Sequence, residues 1–222
     1  MTKSTHYQAI LFDCEGVLIE NKPVELQILR SMLAQRGWQP EPRQLKALFM
    51  HEPKTNWPKI IFQQAGIQVG SEWFAAYHLK KEQAQKNLYV PVDGVQYALD
   101  KISAHWHGRM ACVSAASLKK IYRQLDALNF THFFSPHIYS GTQTKRNKPY
   151  PDVYLQAIRH LNVPAHCCVV IEDSTSGVQA GVAAGAVVLA YTAYFEPEQA
   201  IAAGASQTFN HMQQLPKLLL KQ

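Results

Sequence analysis

The chain has 222 residues, of which 47% are hydrophobic and 17% are charged, and its formal net charge is +6. This size suits one domain, or a core domain with a smaller insertion. No apolar run reaches the roughly 20 residues of a membrane-spanning helix, and the polar start lacks the apolar stretch of a signal peptide, so we expect a cytoplasmic protein with no membrane partner. The basic residues are dispersed, so no nucleic-acid partner is expected, and a small anionic substrate explains the charge equally well.

In chain order, the first predicted element is a short apolar run over residues 8–12, which indicates a buried strand. The run ends abruptly at Asp13. Residues 22–88 instead predict successive amphipathic helices, several with proline in the first turn, over residues 23–36, 42–50, 58–65 and 71–87. Residues 89–94 read as a linker that returns from this helical stretch. Further apolar runs then alternate with helical patterns, and these runs cover residues 110–114, 137–140, 168–171 and 186–190.

Strands that alternate with helices of this length predict βαβ units and a parallel sheet. Right-handed crossovers place the helices on both faces of such a sheet. The predicted fold is therefore α/β, with a Rossmann-like three-layer core, a parallel sheet and an inserted α-helical cap domain. Residues 1–20 and 90–222 are assigned to the core, and residues 21–89 are assigned to the cap.

Ligands of open parallel sheets bind at the carboxyl ends of the strands. The chemistry-bearing residues at those ends and in the nearby loops are Asp13, Glu15, Ser114, Lys148, Glu172 and Asp173. Carboxylate oxygens suit Mg²⁺, and a lysine with a hydroxyl can hold phosphate oxygens where charge develops. An aspartate nucleophile divides hydrolysis into two steps, and a second carboxyl group can protonate the leaving alcohol and then activate water. The set therefore predicts metal-assisted phosphoryl transfer.

Four segments resemble the motifs of the haloacid dehalogenase-like hydrolase superfamily, in particular its phosphatases with a helical cap inserted after the first strand. They are Phe12–Leu18 (FDCEGVL), Ser114 at the end of MACVS, Lys148–Tyr154 (KPYPDVY) and Val170–Ser174 (VIEDS). The motifs follow one another in the family's order and cover nearly the whole chain.

This resemblance implies a role for each matching residue. Asp13 would be the nucleophile and a ligand of the Mg²⁺ cofactor. Ser114 and Lys148 would bind the phosphate group. Asp173 would be a metal ligand, and Glu172 would assist it directly or through water.

Glu15 departs from the family pattern, because the phosphatases carry aspartate at this position. The resemblance implies that residue 15 is the general acid/base and offers its backbone carbonyl to the metal. The glutamate keeps the carboxyl group but extends it by one methylene. We therefore predict a usable but misplaced acid/base, whose slow turnover Glu15→Asp should raise by about ten-fold or more. The contrary outcome is that the neighbours have adjusted to the longer side chain, in which case Glu15→Asp would be neutral or harmful.

The leading interpretation is a Mg²⁺-dependent phosphatase of a small phosphorylated metabolite, such as a sugar phosphate. A sugar-phosphate mutase of the β-phosphoglucomutase kind is an alternative, although those relatives carry histidine in the first cap helix where this chain has Glu25. A second alternative is a binding or regulatory protein on an impaired hydrolase scaffold, which the glutamate at position 15 motivates. The motifs identify neither the substrate nor the oligomeric state.

Overall fold

The computed structural model describes residues 7–49, 54–84, 89–194 and 196–220. The chain divides into two compact units, one formed by Met1–Glu20 with Val90–Gln222 and the other by Asn21–Tyr89. The first contains the sheets, and the second is helical. Among the described residues, no helix combines the length and the apolarity needed to span a membrane.

The strands of the described residues, in chain order, are β1 (Ala9–Phe12), β2 (Ile19–Glu20), β3 (Val90–Pro91), β4 (Met110–Ser114), β5 (Ile138–Ser140), β6 (Cys168–Glu172), β7 (Val187–Tyr191) and β8 (Gln207–Phe209). Six of them form one parallel sheet in the order β5-β4-β1-β6-β7-β8. Numbered along the chain, this is the order 3-2-1-4-5-6 of a doubly wound Rossmann sheet. The predicted fold class is confirmed.

The helices are α1 (Lys22–Ala34), α2 (Pro42–Phe49), α3 (Trp57–Ala65), α4 (Ser71–Ala84), α5 (Val95–Ser103), α6 (Leu118–Ala127), α7 (Thr131–Phe134), α8 (Asp152–Leu161), α9 (Thr175–Ala183), α10 (Pro197–Ala202) and α11 (Leu215–Leu220). Short 3₁₀ turns cover Lys54–Asn56, Gly141–Gln143, Ala165–Cys167 and Met212–Gln214.

The central strands β1, β4 and β6 are buried along their whole length. This is expected of a parallel sheet whose two faces are both covered, and it explains why these strands read as continuous apolar runs. β1 lies between the other two, with Phe12 opposite Cys112 on one side and Ile171 on the other. The carboxyl ends of the three strands are therefore neighbours.

Beyond the main sheet, β2 and β3 form a small antiparallel pair in which Ile19 lies opposite Pro91 and Glu20 opposite Val90. The pair lies where the chain leaves the first unit and where it returns. The sequence predicts only a linker over residues 89–94, whereas residues 90–91 form a strand in the structure. Two-residue strands carry no alternation long enough to detect.

The helical unit has its own apolar core, built around α1, α3 and α4 with side chains such as Leu33, Ile61 and Tyr77. The buried Glu25 carboxylate on α1 forms an ion pair with Lys81 on α4. Burial, together with the Glu25 charge, raises the pKa of Tyr77 well above its usual range. Within this unit, Glu25 therefore joins two helices.

Most predicted elements match the structure to within two residues. α8 matches the helix that the sequence pattern predicts over residues 152–161, and β4 matches the strand predicted over residues 110–114. α1 begins one residue earlier and ends two residues earlier than the helix predicted over residues 23–36. The predicted ends of the helices over 42–50 and 71–87 lie outside the described residues. β8 was not predicted.

Candidate active site

Asp13, the predicted nucleophile, directly follows β1, the central strand of the three whose carboxyl ends meet. Its backbone N–H donates to the carbonyl of Ile171 at 2.9 Å, so the β1–β6 ladder continues up to this residue. Only 8% of Asp13 is exposed. The backbone therefore fixes the carboxyl group at the edge of the sheet.

Lys148 connects the ends of three strands through its ammonium group. Its Nζ lies 2.6 Å from Asp13 Oδ1 and 2.6 Å from Glu172 Oε1, and it donates to the carbonyl of Val113 at 2.9 Å. The three protons of the ammonium therefore have three acceptors, from β4, β6 and the residue after β1.

The loop that carries Lys148 is held by its neighbour Asn147. The Asn147 amide nitrogen donates to the carbonyl of Ala115 at 2.9 Å, and its oxygen accepts from the Lys148 backbone N–H at 2.8 Å. A Cβ atom at Gly141 would lie 2.0 Å from this oxygen, so only glycine leaves room for the asparagine. Asn147 thereby ties the lysine loop to the segment after β4.

Glu172, the last residue of β6, is fully buried, and both of its carboxylate oxygens accept hydrogen bonds. Besides the Lys148 ammonium, Oε1 accepts from the Tyr154 hydroxyl at 2.9 Å. Oε2 accepts from the Asp173 backbone N–H at 3.1 Å and the Ser174 hydroxyl at 3.0 Å. The charge of Glu172 is therefore compensated by four donors, as a buried carboxylate requires.

Opposing influences act on the charges of Asp13 and Lys148. Burial raises the pKa of Asp13 to about 7; the Lys148 charge lowers it, and the charges of Glu172 and Glu15 raise it further. Burial alone would lower the pKa of Lys148, but the Asp13 and Glu172 carboxylates raise it well above its usual range. The two carboxylates therefore favour the charged form of Lys148, whereas burial disfavours the charged form of Asp13.

A group of three carboxylates could hold a metal ion. One oxygen each from Asp13, Glu172 and Asp173 lie within 4.8 Å of one another. A Cβ atom at Gly16 would lie 1.8 Å from Asp173 Oδ2, so the glycine lets this carboxylate approach the loop after β1. When ionised, the three carboxylates and the Lys148 ammonium carry a net charge of −2, and their oxygen atoms are ligands that Mg²⁺ prefers. The residues present therefore fit a hard divalent cation.

Ser114, the predicted phosphate ligand, is the last residue of β4 and is 3% exposed. Its hydroxyl oxygen accepts from the backbone N–H of Ala116 at 3.1 Å. It follows Val113, whose carbonyl accepts from Lys148. The structure thus places Ser114 at the same edge of the sheet as the other predicted residues.

Glu15 interacts with helix α6 through its carboxylate. Its Oε1 lies 2.6 Å from Lys120 Nζ and accepts from the Gln124 side-chain amide at 2.9 Å. Its charge is also close enough to raise the pKa of Asp13. Glu15 therefore belongs to the same electrostatic environment as the predicted nucleophile.

Four residues that support this site were not predicted from the sequence: Asn147, Tyr154, Lys120 and Gln124. Asn147 directly precedes the Lys148–Tyr154 motif and Tyr154 ends it, so their place in the sequence could have pointed to them. Lys120 and Gln124 lie more than 100 residues after Glu15, and no local pattern connects them to it.

The family model of the haloacid dehalogenase-like hydrolases matches residues 10–191. The chain belongs to this family. The match spans the four motifs and the helical unit.

Curated relatives cover most of the chain. The 6-phosphogluconate phosphatase of Escherichia coli (strain K12) is 25% identical over 213 residues, which are 95% of this chain and 94% of the relative. The phosphorylated carbohydrates phosphatase of Thermotoga maritima is 28% identical over 179 residues, which are 80% of this chain and 82% of the relative. The predictions of the family and of a phosphatase enzyme are confirmed.

Among solved structures, a family hydrolase from Deinococcus radiodurans R1, crystallised with bound phosphate and sodium, superposes with a TM-score of 0.81. It is 24% identical, and the match covers 98% of this chain and 96% of that protein. This likeness supports the fold.

Proposed function

We propose that this phosphatase is Mg²⁺-dependent and hydrolyses a small phosphorylated metabolite, a sugar phosphate, through a phosphorylated Asp13. The observation that carries the proposal is the contact of the Lys148 ammonium with both Asp13 and Glu172, next to the Asp173 carboxylate. This arrangement provides a nucleophile, a phosphate-binding cation and oxygen ligands for a metal ion. The relatives named for phosphorylated carbohydrates support the substrate class.

In the first step, an Asp13 carboxylate oxygen attacks the phosphorus atom, and the bond from phosphorus to the ester oxygen breaks. Lys148 and Ser114 hold the phosphate oxygens while this occurs. Glu15 donates a proton to the leaving oxygen, which departs as the free alcohol. The products of this step are the alcohol and an acyl phosphate on Asp13.

In the second step, water attacks the phosphorus atom of phospho-Asp13. Glu15, now ionised, accepts a proton from this water, and the bond from phosphorus to the Asp13 oxygen breaks. Inorganic phosphate leaves, the Asp13 carboxylate is restored, and Glu15 again carries its proton. One water molecule is consumed in each cycle.

Asp13, Asp173, Glu172 and the backbone carbonyl of Glu15 would hold the Mg²⁺ ion. When bound, the ion supplies positive charge that neutralises phosphate oxygens and orients them toward the nucleophile. Its charge would also favour the ionised form of Asp13, which burial disfavours.

The first test is phosphate release from a panel of sugar phosphates by the wild type and Asp13→Asn. The variant should retain the fold but lose turnover, because an amide is a poor nucleophile and a weaker metal ligand. Asp100→Asn changes an exposed aspartate on α5 and serves as the matched control. Substantial phosphate release by Asp13→Asn would exclude Asp13 as the nucleophile. Conversion of β-glucose 1-phosphate to glucose 6-phosphate would instead support the mutase alternative.

The second test is removal of the metal. Excess EDTA should abolish phosphate release, and added Mg²⁺ should restore it, because the carboxylates would otherwise repel the substrate. Mg²⁺ should also raise the melting temperature by mass action, and should do so less in Asp173→Asn. Full activity in excess EDTA would refute the Mg²⁺ requirement.

A further inference from the structure

Glu15 carries its carboxyl group one methylene farther from the backbone than an aspartate would, and it therefore has an additional rotatable bond. A general acid that is misplaced by about 1 Å can lose about 10²-fold in rate. A glutamate at this position therefore needs something that fixes its carboxyl group. Helix α6 carries two side chains in contact with it.

Lys120 and Gln124, here called the α6 pair, both bind Glu15 Oε1. The Lys120 ammonium lies 2.6 Å away, and the Gln124 amide nitrogen donates at 2.9 Å. The two residues are four positions apart on α6 and therefore share one face of the helix. Their donors converge on a single oxygen of the carboxylate.

Gln124 is itself held in place. It is fully buried, and its side-chain oxygen accepts from the Cys14 thiol at 3.6 Å. Because a thiol can donate a hydrogen bond, this contact directs the amide oxygen to Cys14 and the amide nitrogen to Glu15. The orientation of the Gln124 donor is thus set by the residue that precedes Glu15.

We propose that Lys120 and Gln124 are positioning residues that place the longer carboxyl group of Glu15 for proton transfer. This inference rests on the proposed function, in which Glu15 is the general acid/base. It replaces the sequence-based prediction of a misplaced acid with the contrary outcome, in which the neighbours of Glu15 have adjusted to its length.

The site then requires a side chain with the length of glutamate at position 15. Glu15→Asp withdraws the carboxyl group by about 1.5 Å, the length of one carbon–carbon bond. An aspartate could no longer keep both contacts with the α6 pair, at 2.6 Å and 2.9 Å. Glu15→Asp should therefore lower the rate by about ten-fold, within the loss expected for a displaced acid.

The experiment compares kcat/KM on two esters, since this constant reports the steps up to transfer of the phosphoryl group to Asp13. One ester is the sugar phosphate that the wild type hydrolyses best, whose alcohol needs a proton as it leaves. The other is 4-nitrophenyl phosphate, whose phenolate leaves without one. A positioning residue for a general acid should matter more for the first ester.

Lys120→Met and Gln124→Leu should each lower kcat/KM on the sugar phosphate by about ten-fold or more, and on 4-nitrophenyl phosphate by no more than about two-fold. Lys120→Arg keeps a cationic donor and should retain most of the activity. Lys119→Met removes the same charge from an exposed position on α6 and should match the wild type. In a Glu15→Asp background, Lys120→Met should cause little further loss.

Circular dichroism and thermal melting establish whether each variant is folded. Lys120 is 25% exposed, so its variant keeps the test valid should the buried Gln124→Leu fail to fold. Wild-type kcat/KM in Lys120→Met, an equal loss on both esters, or a Glu15→Asp variant faster than the wild type would each overturn the inference.

Glu15→Gln separates this inference from the proposed function. If Glu15→Gln is inactive on the sugar phosphate while Lys120→Met is fully active, the positioning role fails and the acid/base role stands. If Glu15→Gln keeps full activity, the acid/base role fails and the positioning role fails with it. A wild type that hydrolyses neither ester overturns both and favours the impaired-scaffold alternative.

Discussion

At the scale of single residues, the charge balance around Asp13 depends on Lys148. The pKa of Asp13 is raised to about 7 by burial, and Lys148 is the positive charge that opposes this effect. The same ammonium neutralises part of the Glu172 charge. The side chain is 5% exposed, so solvent cannot replace it if it is removed.

Lys148→Met should therefore lower both activity and stability. We expect kcat/KM to fall by at least about 10²-fold, because the variant loses the charge that we propose binds phosphate in the transition state. Removing one partner of a buried ion pair typically costs roughly 3–5 kcal/mol in the free energy of unfolding. Phosphate release and urea denaturation measure the two effects.

Lys145→Met is the control for this substitution, since Lys145 is exposed in the same loop. A Lys148→Met variant with wild-type kcat/KM would show that Lys148 does not contact the phosphate. Wild-type stability would show that the carboxylates do not need its charge.

At the scale of elements, helix α9 approaches the site through its glycines. A Cβ atom at Gly177 would lie 1.8 Å from the Glu172 carboxyl group, whereas one at Gly181 would lie 2.9 Å from a methyl group of Val188. The first glycine therefore adjoins a charged group of the site, and the second adjoins the apolar face of the sheet. Substitutions at Gly177 and Gly181 should therefore affect the site and the packing of the helix separately.

Gly177→Ala should displace Glu172 and lower kcat by at least about ten-fold, even though alanine favours a helix by about 1 kcal/mol. Gly181→Ala should lower the melting temperature through crowding with Val188 while the folded fraction keeps its activity. Phosphate release normalised to folded protein distinguishes the two variants. Equal activity in both variants would mean that catalysis does not depend on the exact position of the Glu172 carboxylate.

The burial of each element explains whether it could be predicted from the sequence. The central strands were found because strands buried on both faces are continuous apolar runs, and Asp13 and Glu172 were found because they end such runs. β8 (QTF) is an edge strand with one buried residue, so it has no comparable signal. The Lys120 and Gln124 contacts depend on how α6 packs, and neither residue carries a local pattern that points to Glu15.

At the scale of the whole molecule, the groups assigned to the chemistry all belong to the unit formed by Met1–Glu20 and Val90–Gln222. In the proposed mechanism these groups act on the phosphate group, which every phosphate ester shares. We propose that selection among esters depends on the helical unit Asn21–Tyr89 and its entry segment. Glu20 and Lys22 lie at that entry.

Glu20→Gln and Lys22→Met should therefore change the ratio of kcat/KM between sugar phosphates of a panel by about ten-fold or more, a range typical of binding contacts. The ranking of the esters should change accordingly. The requirements for Mg²⁺ and for Asp13 should persist. Lys46→Met, at an exposed position on α2, is the control. A ranking unchanged in both entry variants would argue against selection by this unit.

The antiparallel pair of β2 and β3 has a consequence for how the chain can change over evolutionary time. Ile19 lies opposite Pro91, so the start and the end of the 69-residue helical unit leave the sheet domain side by side. The entropic cost of closing a loop grows only with the logarithm of its length, and each doubling adds about 0.6 kcal/mol. An insertion whose ends already meet can thus be lengthened, shortened or exchanged with little effect on the strand that places Asp13. The junction makes the helical unit a replaceable module, and if this unit selects the ester, its exchange would change the substrate while the chemistry at Asp13 stays the same.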